Sequence, residues 1–213
     1  MSAASRGRRG TVALAVLLLA VAVVLAVLAV ARPGRPRDDG PEAGFARDMS
    51  AHHAQAVRMS FLVRDRTRDE TIRTLAYDII TTQSAQIGMM TAWLDEWELP
   101  KADPAGPMRW MDGHGGHGGS RTAPPGGPAS MPGMASPEQL RRLERSSGRD
   151  AEVLYLQLMI LHHRGGVEMA EAVLARTGHE RVRRLARSMV DGQRSEVALM
   201  TGMLRQRRAP VPD

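Results

Sequence analysis

Met159-Ile160-Leu161-His162-His163-Arg164-Gly165-Gly166-Val167-Glu168-Met169 has an echo 110 residues earlier, Met49-Ser50-Ala51-His52-His53-Ala54-Gln55-Ala56-Val57-Arg58-Met59. Both stretches read M-x-x-H-H-x-x-x-V-x-M. At about 100° per residue, a helix gathers Met49, His52, His53, Ala56 and Met59 into an arc of about 120°. Met159, His162, His163, Gly166 and Met169 form the same stripe. Two thioethers and two imidazoles therefore share one face in each copy.

The same offset extends the repeat without gaps. Arg73, Leu75, Ala76, Gln83, Met90, Thr91 and Leu94 fall on the identical residues Arg183, Leu185, Ala186, Gln193, Met200, Thr201 and Leu204. Upstream, Glu42 falls on Glu152 and Phe45 on Tyr155. These matches recur at helical spacing, so the chain reads as a duplicated helical hairpin. Two such hairpins bury their apolar stripes best as an antiparallel four-helix bundle, in which the two His-His faces approach across a pseudo-twofold axis. Gln83, Gln86, Met90, Gln193, Glu196 and Met200 would line the facing helices.

Composition agrees with an all-α domain. Aromatic residues make up 3% of the 213 residues, too few for a strand-rich core. The net charge of +6 comes from arginine, with Lys101 the single lysine, and arginine alternates with acidic residues rather than forming a basic stripe. That distribution argues against a nucleic-acid partner. The absence of cysteine excludes disulfides, Cys-ligated zinc and iron–sulfur clusters, leaving His, Met and carboxylates as metal ligands.

Residues 1–40 read as an export signal or membrane anchor followed by a spacer. Thr11–Ala31 carries no charge or proline, and its 21 residues would span roughly 30 Å as a helix. Either it remains as a membrane anchor or it is cleaved after Ala29-Val30-Ala31; both place the remainder outside the cytoplasm, anchored or secreted. Residues 41–213 hold the bundle, with repeat one at 41–99, a Met/His/Gly/Pro-rich linker at 100–135 and repeat two at 136–208. Ser136-Pro137-Glu138-Gln139 is a helix start with a capping box, and Gly178 suits a left-handed helix cap.

Imidazole and thioether together suit a soft or borderline metal, and copper accepts both. Bundles that hold two irons use Glu-x-x-His on two helices. Here a methionine stands in the glutamate's place, in Met49-x-x-His52, Met159-x-x-His162 and, in the linker, Met111-x-x-His114. The exchange disfavours iron and favours Cu(I), with Cu(II) as a second form and Ag(I) as a mimic. The principal candidate ligands are His52, His53, His162 and His163, with Met49, Met59, Met159 and Met169 as soft ligands. In the linker, Met108, Met111, His114, His117, Met131 and Met134 are either loose, exposed metal ligands or parts of a flexible spacer. The competing explanation of the stripes is that methionine fills gaps in helical cores and buried histidine is merely hydrogen-bonded.

Tyr155, Met159, His162, His163, Gly165, Val167, Glu168, Met169 and Ala170, followed by Gln193-x-x-Glu196-x-x-x-Met200, resemble a bacterial family of ferritin-like domains. That family is labelled as a domain of unknown function and includes the CopM-type periplasmic copper-binding proteins. The resemblance covers roughly Pro41–Leu99 and Arg149–Arg205. Copy one departs at Gln55, Arg58 and Ser60, where the family tends to have Gly, an acidic residue and Ala. The resemblance implies a ferritin-like four-helix fold, export and, for some members, copper binding in resistance or trafficking. The expectation is therefore an exported copper-binding protein, not an enzyme, whose partners are the metal, the membrane through Thr11–Ala31 if uncleaved, and a copper-exporting or copper-accepting protein. The alternatives are a non-metal helical interaction module of the cell envelope and a redox metalloenzyme.

Overall fold

Local signals set the helix starts. Pro41 occupies the first turn of α1 (Pro41–Arg64), where its missing N–H costs nothing. Asp69 caps α2 (Glu70–Glu96) by accepting from the Thr71 and Ile72 amides at 2.9 and 3.2 Å. The Ser136–Gln139 capping box opens α3 (Pro137–Arg145), with both reciprocal bonds formed. The long helices α4 (Gly148–Leu174) and α5 (Glu180–Gln206) follow.

The structure, a computed structural model, describes residues 16–23, 35–111 and 131–213. It divides into two units, Met1–Arg35 and Pro36–Asp213. In the first, residues 16–23 are helical and exposed. No helix among the described residues is long and apolar enough to cross a membrane, and most of Thr11–Ala31 lies outside those residues.

The second unit is an all-α, ferritin-like antiparallel four-helix bundle built from a duplicated hairpin. Helix α1 pairs with α2 and α4 with α5, α1 packs on α4, and α3 lies against both α1 and α4. The buried apolar residues fall into two clusters. One joins the end of α1 and the starts of α2 and α4 to the end of α5, through Met59, Ile72, Ile79, Tyr155, Met159 and Met200. The other joins the start of α1 to the ends of α2 and α4 and the start of α5, through Phe45, Met49, Met90, Met169, Ala186 and Met189. The histidine pairs lie between these clusters along the helices, so a polar layer crosses the bundle at mid-height.

Gly178 does not form the expected left-handed cap. Helix α4 ends at Leu174 with Ala175 at φ −75°, and the positive-φ glycines among the described residues are Gly106, Gly133 and Gly148. Arg183 supplies the reason, because its guanidinium donates to Leu174 O at 2.7 Å and Thr177 O at 2.9 Å. A side chain thus satisfies the terminal carbonyls and no left-handed residue is needed. Arg73 does the same for Arg64 O in repeat one, at 2.7 Å.

The linker is more ordered at its ends than its composition suggests. A 3-10 turn, Arg109–Met111, packs against α1. Buried Trp110 sits over Gly44, where an added Cβ would lie 2.3 Å from its ring. Asp48 accepts from the Met108 amide and the Trp110 indole, both at 2.8 Å. The expectation that the linker methionines are loose and exposed is therefore corrected for Met108, Met111, Met131 and Met134. Met108 is buried in the cluster of Met49 and Met169, and Met111 and Met131 pack against it. Met134 is partly buried, and His114 and His117 lie outside the described residues.

Each departure of copy one has a structural cause. Gln55 clasps the returning linker, its amide N donating to Ala135 O at 3.0 Å and its amide O accepting from Ala135 N at 2.7 Å. Arg58 pairs with Glu144 of α3 at 2.6 Å. Ser60 hydrogen-bonds the buried Tyr155 hydroxyl at 2.9 Å. In the other half, Phe45 and Ala170 occupy the equivalent positions without polar groups. Ser60→Ala alone should cost about 1–3 kcal/mol, since it strands the Tyr155 hydroxyl. Adding Tyr155→Phe should recover most of that loss by reproducing the Phe45/Ala170 pair, as a double-mutant cycle in urea would measure.

Candidate metal centre

The four paired histidines are each at most 1% exposed, and Met49, Met59, Met159 and Met169 are fully buried. Helices α1 and α4 bring their pairs together: the His52 and His162 rings stack with centroids 3.7 Å apart and an interplanar angle of 30°. His53 and His163 flank this stack, at 6.4 Å from His52 and 6.3 Å from His162 respectively.

Every Nε2 has an acceptor. His52 Nε2 lies 3.0 Å from Pro132 O, and His162 Nε2 lies 3.0 Å from His52 O. His53 Nε2 meets Gln86 Oε1 at 2.7 Å, and His163 Nε2 meets Glu196 Oε2 at 2.6 Å. Carbonyl and carboxylate oxygens only accept, so each Nε2 carries a proton, and in a neutral ring Nδ1 then keeps its lone pair. All four Nδ1 atoms are buried without a hydrogen-bond partner. So are Gln83 Oε1 and Gln193 Oε1 at the same height, which are again equivalent positions of the repeat. Leaving a buried acceptor unsatisfied costs about 1–3 kcal/mol, so this layer is expensive as a purely structural feature.

Burial favours the neutral imidazole at His52, His53 and His162. It pushes His52 down to about 4, against the hydrogen bond to Pro132, and His53 down to about 3, with repulsion from His52 adding to the effect. His162 is held well below the ordinary range, first by burial and then by the neighbouring histidines. Neutral imidazole is the metal-binding form. Among the described residues no three His, Asp or Glu side chains form a ready metal cage. The donors present are instead imidazole nitrogens with thioethers one turn away, a set that suits a soft ion better than a hard one.

Glu42 and Glu152 stand apart from this layer. Glu42 accepts from Thr177 Oγ1, while Glu152 accepts from Thr67 Oγ1 at 2.6 Å and Arg207 Nε at 3.0 Å. These are equivalent ties between a helix start and the opposite hairpin turn. Of the linker candidates, Met131 and Met134 lie within the segment that covers His52, and Met108 and Met111 belong to the apolar cluster near α1.

That covering segment was the part of the site missed by spacing arguments. Residues 131–135 cross α1 and α4 as a strap, with Pro132 O capping His52. Gly133, at φ +73°, and Gly165 permit the approach: a Cβ on Gly165 would stand 2.1 Å from Pro132 O, and one on Gly133 2.2 Å from Leu161 O. The signal available in sequence was the mismatch of Gly165 with Gln55, since both residues hold the strap by different means.

Residues 42–204 match the family described as Domain of unknown function (DUF305). The chain belongs to this family. A DUF305 protein from Streptomyces coelicolor, inferred to be secreted, has a solved structure that is 47% identical with a TM-score of 0.74, covering 83% of this chain and 99% of that one. A DUF305 fragment from Deinococcus radiodurans is 33% identical with a TM-score of 0.62, covering 78% and 96%. CopM in its Cu(I)-bound form is 19% identical with a TM-score of 0.58, covering 78% and 96%, a likeness of fold. The chain spans about a third of the length of the curated relative it matches, protein L153 of Acanthamoeba polyphaga mimivirus: 40% identity over 55 residues covers 26% of this chain and 36% of that protein. The DUF305 fold thus includes both the histidine-layered bundle described above and CopM.

Proposed function

We propose that this DUF305 protein is an exported, membrane-anchored or secreted copper-binding protein that sequesters or hands on Cu(I), and binds Cu(II) as a second form. The observation that carries this reading is the set of four buried Nδ1 atoms without a hydrogen-bond partner. Each is fixed in one tautomer by its Nε2 bond and has methionine one turn upstream on the same helix. His52, His53, His162 and His163 supply the nitrogen donors, and Met49, Met59, Met159 and Met169 supply soft sulfur on either side. CopM, which shares the fold, has been solved with Cu(I), Cu(II) and Ag bound. The inferred secretion of the Streptomyces coelicolor protein supports an extracytoplasmic location. Copper is cargo in this reading, and the role is binding rather than catalysis.

Titrating the full chain with Cu(I) against a competing chelator tests the proposal. Tight binding is expected, lost when all four paired histidines are changed to Ala. Cu(I) at a hundred times its dissociation constant should also stabilise the fold by about 3 kcal/mol. Binding no stronger than that of the four-alanine variant contradicts the proposal. The second reading, a metal-free interaction module, draws on the lack of a ready carboxylate or histidine cage among the described residues. It predicts an unchanged melting temperature with and without metal.

A further inference from the structure

The 110-residue offset maps almost every member of the polar layer onto its own kind: His52 onto His162, His53 onto His163, Gln83 onto Gln193. Among the side-chain partners of these residues, one breaks the pattern. His53 Nε2 donates to the neutral amide of Gln86 at 2.7 Å, whereas His163 Nε2 donates to the carboxylate of Glu196 at 2.6 Å. His163 is fully buried and the Glu196 side chain is 27% exposed, so the carboxylate reaches the histidine from the protein's edge. The two contacts are otherwise alike: same ring atom, same helix pair within each hairpin, and a buried Nδ1 without a partner in each ring.

We propose that Glu196 makes the repeat-two half-site the tighter of two unequal metal half-sites and the one that accepts a divalent ion, while Gln86 leaves the repeat-one half-site selective for a monovalent soft ion. This inference rests on the copper reading above. A carboxylate on the far nitrogen increases the donor strength of the imidazole and fixes its orientation. It also places one negative charge behind the ligand. The attraction between that charge and a bound ion scales with the ion's charge, so it favours a divalent ion twice as strongly, on the free-energy scale, as a monovalent one. An amide at the same distance orients the ring equally well but supplies no net charge. Glu196 is thus a selectivity residue acting through His163, and the duplicated bundle holds two half-sites of different character.

Affinities of the full chain for Ag(I), Cu(I) and Cu(II) would be measured by chelator competition for the wild type, Glu196→Gln and Gln86→Glu, with circular dichroism confirming the fold. Glu196→Gln is expected to weaken one monovalent site about tenfold and divalent binding about a hundredfold. Gln86→Glu should strengthen divalent binding at the second half-site more than monovalent binding, a gain that misfolding cannot produce. Equal loss for both ions in Glu196→Gln, or no selective gain in Gln86→Glu, overturns the proposal while leaving the copper reading intact. A wild type that binds no more metal than the four-alanine variant overturns both.

Discussion

Acidifying the metal-free protein from pH 7 to pH 4 is expected to remove on the order of 6 kcal/mol of stability through His52 and His53 alone. Both have folded-state values pushed below the ordinary 6.5 by burial, to about 4 and about 3. The unfolded chain therefore binds protons that the folded chain refuses. Their stabilising contribution is complete above about pH 6.5 and is lost progressively as pH falls toward the folded values. His162, also depressed, acts in the same direction. Set against a typical domain stability of about 5–15 kcal/mol, the loss is large enough to unfold the bundle. Urea midpoints recorded by circular dichroism between pH 7 and pH 4 would show a steep decline. A variant with His52, His53 and His162 replaced by Gln should flatten it, and a flat profile in the wild type would show that the layer is not buried as described.

Gly165→Ala carries the second large effect. The new Cβ would stand 2.1 Å from Pro132 O and 2.3 Å from Pro132 C, and both atoms are backbone. The strap must lift, taking with it the carbonyl that accepts from His52 Nε2. An overpacked contact of this kind costs about 1–3 kcal/mol, or a few degrees of melting temperature at this chain length. The Gln55 clasp on Ala135 is three residues farther along and would keep the strap tethered. His52 should become reactive toward diethyl pyrocarbonate in Gly165→Ala and remain protected in the wild type. Equal protection in both proteins would mean that the strap does not seal the layer.

Much of this was legible because the chain is a repeat. The 110-residue offset predicts the hairpin duplication, the approach of the two histidine pairs and the facing glutamines, since helical periodicity fixes which side chains share a stripe. What could not be read were contacts made once. The Asp48 anchor for Trp110 and the Pro132 cap on His52 join residues 62 and 80 positions apart, with no second copy to reveal them. The linker's Gly and Pro content concealed that its ends dock on α1 and α4, and Arg183 removed the need for a left-handed Gly178 by capping the carbonyls with a side chain. The Gln86/Glu196 difference was visible in sequence, but only the geometry shows both residues holding the same nitrogen of equivalent histidines.

Whether the four buried Nδ1 atoms are metal donors is decided by nitrogen-15 NMR of histidine-labelled protein during an Ag(I) titration. In the metal-free protein each Nε2 should carry a proton, and the His52, His53 and His162 rings should be neutral with unprotonated Nδ1. On adding Ag(I), the Nδ1 resonances should shift while the Nε2 protons remain. Nδ1–H tautomers in the metal-free state, or Nδ1 resonances unmoved by excess Ag(I), would contradict the account.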